Sequence, residues 1–282
     1  MRAGLRLAWR LPGLVIWVLA GLLWAKTGLR WVGPSGHRRS IRVFAAGVLF
    51  FCGVRLSPKG DPRFPSPCLV VSNHISWLDI FVLQALEAIT FVAKSDIGGW
   101  PVVGPLVTAS GTLYIERGRR SAIKEVMARA QSEFDRGARI MFFPEGTTSS
   151  GEQVLRFHSN LFALVEERPS LPIRPISLRY LQHGAPTTIP AYIDDMNLVD
   201  SIMSILRAPG LSAAPLLHAP VSASALCPDG AVNRRGMAAA LHPLVAGPLG
   251  LNAPDQPVET EHGPPAGPLW DSPARRSPSP GQ

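Results

Sequence analysis

Cysteine is nearly absent from this chain. The three present in 282 residues, Cys52, Cys68 and Cys227, are too few and too widely spaced for a disulfide framework or a metal-ligand set. No Gly-x-Ser-x-Gly elbow occurs, so the nucleophile turn of the α/β-hydrolases is excluded. There is no glycine-rich loop closing on a Lys that would cradle nucleotide phosphates. His74, His158, His183 and His218 lack the paired spacing of zinc ligands. Acid is missing from the first 60 residues, which carry ten Lys or Arg and no Asp or Glu. The other 222 residues hold eighteen basic against twenty acidic and are close to neutral. A nucleic-acid binder would spread its positive charge over the folded domain and interleave it with aromatics, so no nucleic-acid partner is expected. No internal repeat is present.

What the amino terminus does have is charge flanking apolar runs. Residues 11–25 are uncharged, with Arg2, Arg6 and Arg10 before them and Lys26 and Arg30 after. That run is short for a span of about twenty residues, although flanking side chains can snorkel. Residues 43–54 form a second uncharged run behind Arg38, Arg39 and Arg42. The pattern suits segments lying in or dipping into an anionic membrane surface. A secretory signal is the competing reading, but no small-x-small cleavage site precedes Lys26. With cysteines that form no framework, the folded part is placed on the reducing, cytoplasmic face of a membrane.

From about residue 67 to 192, short apolar strands alternate with helical stretches, the pattern of an α/β domain with a covered sheet. The expected strands are 68–72, 90–94, 112–116, 139–143 and 173–178. An apolar stripe of Ile123, Val126, Met127, Ala130 and Phe134 predicts a helix over 121–136, stopped by Gly137. Helices are also expected over 197–206 and 233–246, and one strand over 211–218. After Leu251 eight prolines fall in thirty-one residues, a composition that cannot bury a core. The expected division is a membrane-associating segment at 1–60, a single domain at 61–250 and a disordered tail at 251–282.

Chemistry gathers where strands end. Asn73-His74-Ile75-Ser76-Trp77-Leu78-Asp79 sets a His and an Asp five positions apart between an apolar strand and a helix. Asp79 can hold the imidazole Nδ1 proton and leave Nε2 to take a proton from a hydroxyl. The plainer alternative is a loop His beside an Asp that favours a helix N-terminus. Gly111 to Arg117, Phe143 to Ser149 and Ile173 to Leu178 then close three more apolar strands, the last with Pro175 inside it. Arg117 offers a planar fork for phosphate or carboxylate, or else pairs with Glu116 at the surface.

These four blocks, in this order, resemble the glycerolipid acyltransferase family, which includes 1-acyl-sn-glycerol-3-phosphate acyltransferases and lysophospholipid acyltransferases. The resemblance extends from about Pro67 to Tyr192. It implies that His74 and Asp79 are catalytic, and that Arg117, Glu145, Gly146 and Thr147 hold the acceptor's head group, with Asn73 beside them. It links Pro175 to the acyl-donor side. The implied fold is one acyltransferase domain with a covered mixed sheet behind a membrane-associated helical segment. The implied activity is transfer of a fatty acyl group from acyl-CoA or acyl carrier protein to the sn-2 hydroxyl of 1-acyl-sn-glycerol-3-phosphate, giving phosphatidic acid, with no metal and no bound cofactor. One departure stands out: many phosphate-recognising members read Glu-Gly-Thr-Arg-Ser, whereas Thr148 replaces that Arg here. Lyso-ornithine lipid is therefore an alternative acceptor. A non-catalytic membrane-binding module is the rival from another class.

Overall fold

Two amino-terminal helices form wherever the apolar runs allow and then share a seam. The computed structural model describes residues 2–100, 103–115, 120–227 and 232–251. Helix α1 (Arg2–Thr27) extends past the uncharged run on both sides, because the flanking Arg and Lys are themselves good helix formers. It is long and apolar enough to cross a membrane. Leu5, Ile16, Leu19 and Leu23 stand more than half exposed on it. Helix α2 (Pro34–Cys52) starts on a proline and ends at Gly53, whose φ of 70° supplies the left-handed cap. It buries Ala45, Val48, Leu49 and Cys52, one face at helical spacing. Trp17 of α1 donates from Nε1 to the Phe44 carbonyl at 3.0 Å and stacks on the Phe44 ring.

Two short strands, β1 (Val54–Leu56) and β2 (Lys59–Gly60), precede the alternating region. That region runs β3 (Cys68–Ser72), α3 (Leu78–Leu86), β4 (Thr90–Lys94), α4 (Val103–Ala109), β5 (Leu113–Ile115) and α5 (Arg120–Asp135). It continues with β6 (Arg139–Phe142), α6 (Ala163–Glu166) and β7 (Pro172–Ser177). The hairpin β8 (Tyr180–Gln182) and β9 (Ala185–Pro186) follows, then α7 (Leu198–Arg207), β10 (Leu211–Ala213) and β11 (Leu216–Leu217). Last come β12 (Val221–Ser222), α8 (Ala223–Leu226) and α9 (Arg234–Ala246).

The five expected strands form the parallel heart of the main sheet, in the order β7-β3-β6-β4-β5. Antiparallel β11 and β12 then join β7, which makes the sheet mixed. Strand β3 is buried along its whole length. Leu69 and Val71 face a core shared with Phe134 of α5 and Leu241 of α9, while Cys68 and Val70 face Leu83 of α3. A strand covered on both faces needs no polar alternation, which is why it reads as a plain apolar run.

Pro175 sits inside β7, where a missing N–H would ordinarily break pairing. Its carbonyl accepts from the His218 N–H at 3.1 Å, so its nitrogen edge faces the gap between β11 and β12. The proline occupies a place that asks for no donor.

Three expectations need correction. Residues 54–60 belong to the domain's sheets and not to the amino-terminal segment: β1 pairs with β10 and β2 with β11. Strands of two or three residues are too short to show a period. The stretch 211–218 is two strands in different sheets, because Ala214 and Pro215 carry the chain from one to the other. Arg6 and Arg10, expected at a membrane edge, instead donate to the carbonyls of Arg207, Leu206 and Ala208 at the end of α7. A cation on the last carbonyls of a helix satisfies groups that have no partner within it. Residues 252–282 lie outside the described residues.

Candidate active site

Neighbouring parallel strands β6, β3 and β7 end at the same edge of the sheet, and each delivers part of one constellation. In open α/β sheets ligands bind at that carboxyl edge. From β3 the chain turns through Asn73, His74, Ile75 and Ser76 into α3. His74 Nδ1 lies 2.8 Å from Asp79 Oδ2. A carboxylate only accepts, so this contact puts the proton on Nδ1 and leaves Nε2 as the basic nitrogen. Among the described residues no group bonds Nε2, and the ring is 18% exposed whereas Asp79 is fully buried. Phe143, just past β6, stacks on the imidazole with centroids 3.8 Å apart and planes 7° apart, which fixes the ring plane.

Oδ2 also accepts from the Ile75 and Ser76 backbone N–H groups at 2.6 and 3.0 Å, so the carboxylate holds the turn that leads into α3 as well as the histidine. Oδ1 accepts from the Tyr180 hydroxyl at 2.7 Å.

Asn73 is fully buried and spends its amide on Leu178, donating to that carbonyl at 2.9 Å and accepting from that N–H at 2.7 Å. It ties the His74 turn to the end of β7, a positioning task. Glu145 has a similar one. Its Oε1 accepts from the His74 N–H at 2.6 Å and its Oε2 from the Leu155 N–H at 2.8 Å. Burial pushes its carboxyl up to about 8, outweighing the two N–H bonds that favour the charge, and the nearby Asp79 charge adds to the rise.

Gly146 takes a φ of 71°, a left-handed conformation at the exposed tip of the turn. A Cβ there would come within 3.2 Å of the His158 ring, so this exposed histidine lies against the Gly146 backbone. Thr147 is half-buried beside it. Thr148, where many relatives of the resembled family carry Arg, donates its hydroxyl to the Tyr192 carbonyl, while Tyr192 N–H donates to Ile75 O at 3.0 Å. That side chain straps two loops together in place of supplying a cation. Thr148→Val, similar in shape but lacking the hydroxyl, should cost about 1 kcal/mol and lower the thermal midpoint by a few degrees; an unchanged midpoint in a scanning-calorimetry trace would remove the strap.

Thus Asp79 and Glu145 each bond His74 directly, Asn73 precedes it in the chain and bonds Leu178, and Gly146 and Thr147 follow Glu145 on its turn. Pro175 is buried in the sheet, and Arg117 lies outside the described residues. Phe143, Tyr180, Leu155, Leu178 and Tyr192 were not singled out from the sequence. Phe143 carried one signal, a large aromatic directly after a buried strand; the others act through backbone groups or across sheets and carried none. Among the described residues no group of three or more His, Cys, Asp or Glu is placed to hold a metal ion.

Histidine and aspartate stand at the carboxyl edge of a covered α/β sheet, with a Glu-Gly turn held to the His74 backbone. The comparisons supply the class: a family model described as Acyltransferase matches residues 56–179. The 1-acyl-sn-glycerol-3-phosphate acyltransferase of Neisseria meningitidis serogroup B is 33% identical over 192 residues, 66% of this chain and 72% of that protein. The lyso-ornithine lipid O-acyltransferase of Pseudomonas aeruginosa is 36% identical over 154 residues, which span 55% of this chain and 58% of that protein. A crystal structure of the 1-acyl-sn-glycerophosphate acyltransferase PlsC from Thermotoga maritima shares the fold, with a TM-score of 0.62 at 17% identity over 89% of this chain and 97% of that one. The chain belongs to this acyltransferase family.

Proposed function

We propose that the protein transfers a fatty acyl group from an acyl thioester, on coenzyme A or acyl carrier protein, to the sn-2 hydroxyl of 1-acyl-sn-glycerol-3-phosphate, giving phosphatidic acid. The observation that carries the reading is the bond between His74 Nδ1 and buried Asp79, which leaves Nε2 free at the sheet edge. Nε2 takes the acceptor's hydroxyl proton as the oxygen attacks the thioester carbonyl. The new C–O bond forms, the C–S bond breaks, and the imidazolium returns the proton to the departing thiolate sulfur. Asp79 stabilises that imidazolium and needs no protonation of its own. No enzyme nucleophile is required, since the lipid hydroxyl attacks.

The exposed apolar face of α1, with ten basic and no acidic residues in the first 60, supports membrane association. The site then faces the cytoplasm, where acyl thioesters are found. Arg117 is the cation assigned to the acceptor head group, with the His158 ring against the Gly146 backbone as a further hydrogen-bonding group.

Lyso-ornithine lipid is the second reading. It is favoured by the engagement of Thr148 with the Tyr192 carbonyl where a phosphate-binding Arg would sit, and by relatives that carry that name. Purified protein in lipid vesicles, assayed with lysophosphatidate, lyso-ornithine lipid and lysophosphatidylcholine against both donors, separates them. Lysophosphatidate should give the highest kcat/KM; a preference for lyso-ornithine lipid selects the second reading, and no transfer with any pair removes both.

A further inference from the structure

Asp79 has four hydrogen bonds, and three of them come from its own turn. All three fall on Oδ2. Oδ1 is held by a single donor, the Tyr180 hydroxyl, which reaches in from β8 in the second sheet. Tyr180 is 1% exposed and packs among Leu14, Val48, Cys52, Ile75 and Leu78, between the amino-terminal helices and the catalytic turn. Its place is fixed by backbone pairing: Tyr180 aligns with Ala213 of β10, which aligns with Leu56 of β1.

From this geometry we infer that Tyr180 is a positioning residue of the acyl-transfer site, setting the rotation and charge of the Asp79 carboxylate so that Oδ2 stays on the imidazole. The inference rests on the proposed reaction. A carboxylate can swing about its terminal torsion, which is broad and soft. Three donors hold Oδ2, and the phenol on Oδ1 fixes the carboxylate plane from its other end. The phenol can only donate here, because burial and the Asp79 charge raise it well above its ordinary range. It therefore draws charge toward Oδ1 and moderates what the histidine feels. The titratable groups facing the phenol are Asp79 and the Cys52 thiol, and those around Asp79 are His74, Tyr180 and Glu145.

Tyr180→Phe, in the full chain reconstituted in vesicles, keeps the ring and deletes the one donor. The expected result is a kcat about tenfold lower, KM for acceptor and donor unchanged within about twofold, and an acid limb of the kcat profile moved to higher pH, because the freed carboxylate charge favours the imidazolium. Placing 3-fluorotyrosine at position 180 preserves the fold and strengthens the donor, so the limb should move the opposite way. The 15N resonances of the His74 ring report the same change without turnover: the Nδ1-protonated form dominates in the native protein, and Tyr180→Phe should keep that tautomer while shifting the Nδ1 resonance as the carboxylate charge on Oδ2 grows. A folded Tyr180→Phe protein with unchanged kcat, pH profile and ring resonances overturns the inference, as does a loss confined to KM. If His74→Ala stays active, the proposed reaction itself is wrong; if His74→Ala is dead and Tyr180→Phe is silent, only the role of Tyr180 falls.

Discussion

His74→Ala should lower kcat by about a hundredfold to ten-thousandfold, the usual contribution of a positioned general base, while circular dichroism and the thermal midpoint stay close to those of the native protein. The ring reaches solvent at the sheet edge, and its loss leaves the Ile75, Ser76 and Tyr180 bonds to Asp79 in place. Asp79→Asn makes a sharper comparison. Oδ2 receives the Ile75 and Ser76 N–H groups as well as Nδ1, so an amide must keep its oxygen there and turn its NH2 toward Tyr180, whose hydroxyl can rotate to accept. The imidazole keeps its tautomer and loses only the facing charge. Asp79→Asn should therefore be markedly less damaging than His74→Ala, and Asp79→Ala, which leaves the buried Ile75 and Ser76 N–H groups without their acceptor, should lose stability by about 1 kcal/mol or more. Full transfer activity in a folded His74→Ala protein would eliminate the base.

The second large effect is expected at Glu145. Truncation to Ala leaves the His74 and Leu155 N–H groups buried without acceptors, at about 1–3 kcal/mol each, and releases the backbone that carries the base. Glu145→Ala should both destabilise the protein and abolish turnover. Native stability should also depend on pH through this residue. Its carboxyl is raised to about 8 in the folded chain, so across the interval from the ordinary carboxylate range up to that value the native state keeps a proton that the unfolded chain has released. The resulting stability is complete below the unfolded value and is lost as pH rises through about 8. Denaturant midpoints measured from pH 5 to pH 8 should fall with a slope of up to one proton, and Glu145→Gln, less stable throughout, should flatten that slope. A native slope identical to that of Glu145→Gln would assign the carboxyl a charge at neutral pH.

The five parallel strands and the helix over α5 were legible because each is a short run whose apolar residues have no other place to go. The helix is shifted by a single residue, Arg120–Asp135 against 121–136. Segments stabilised mainly by distant partners were not legible. Strands β1 and β2 exist because β10 and β11 lie beside them, and Pro215 splits a run that local composition would keep whole. The same divide runs through the site. The spacing of His74 and Asp79 announced a pair, since five positions across a strand-to-helix turn bring the two side chains together by local geometry alone. Asn73 and Glu145 were noticed for the company they keep, yet both spend their polar atoms on the backbone of other segments.

By itself the sequence determined the α/β alternation, the basic amino terminus, the pairing of His74 with Asp79, and the family. Apolar period, net charge and short-range spacing are properties of neighbours along the chain. Only the tertiary structure decided that Glu145 clamps the His74 backbone, that Thr148 is a strap, that Arg10 is spent on α7, and that a tyrosine from a second sheet completes Asp79. Each of these depends on a hydrogen bond between residues dozens to nearly two hundred positions apart, whose partners are backbone groups that every residue carries or a hydroxyl with no local motif to mark it.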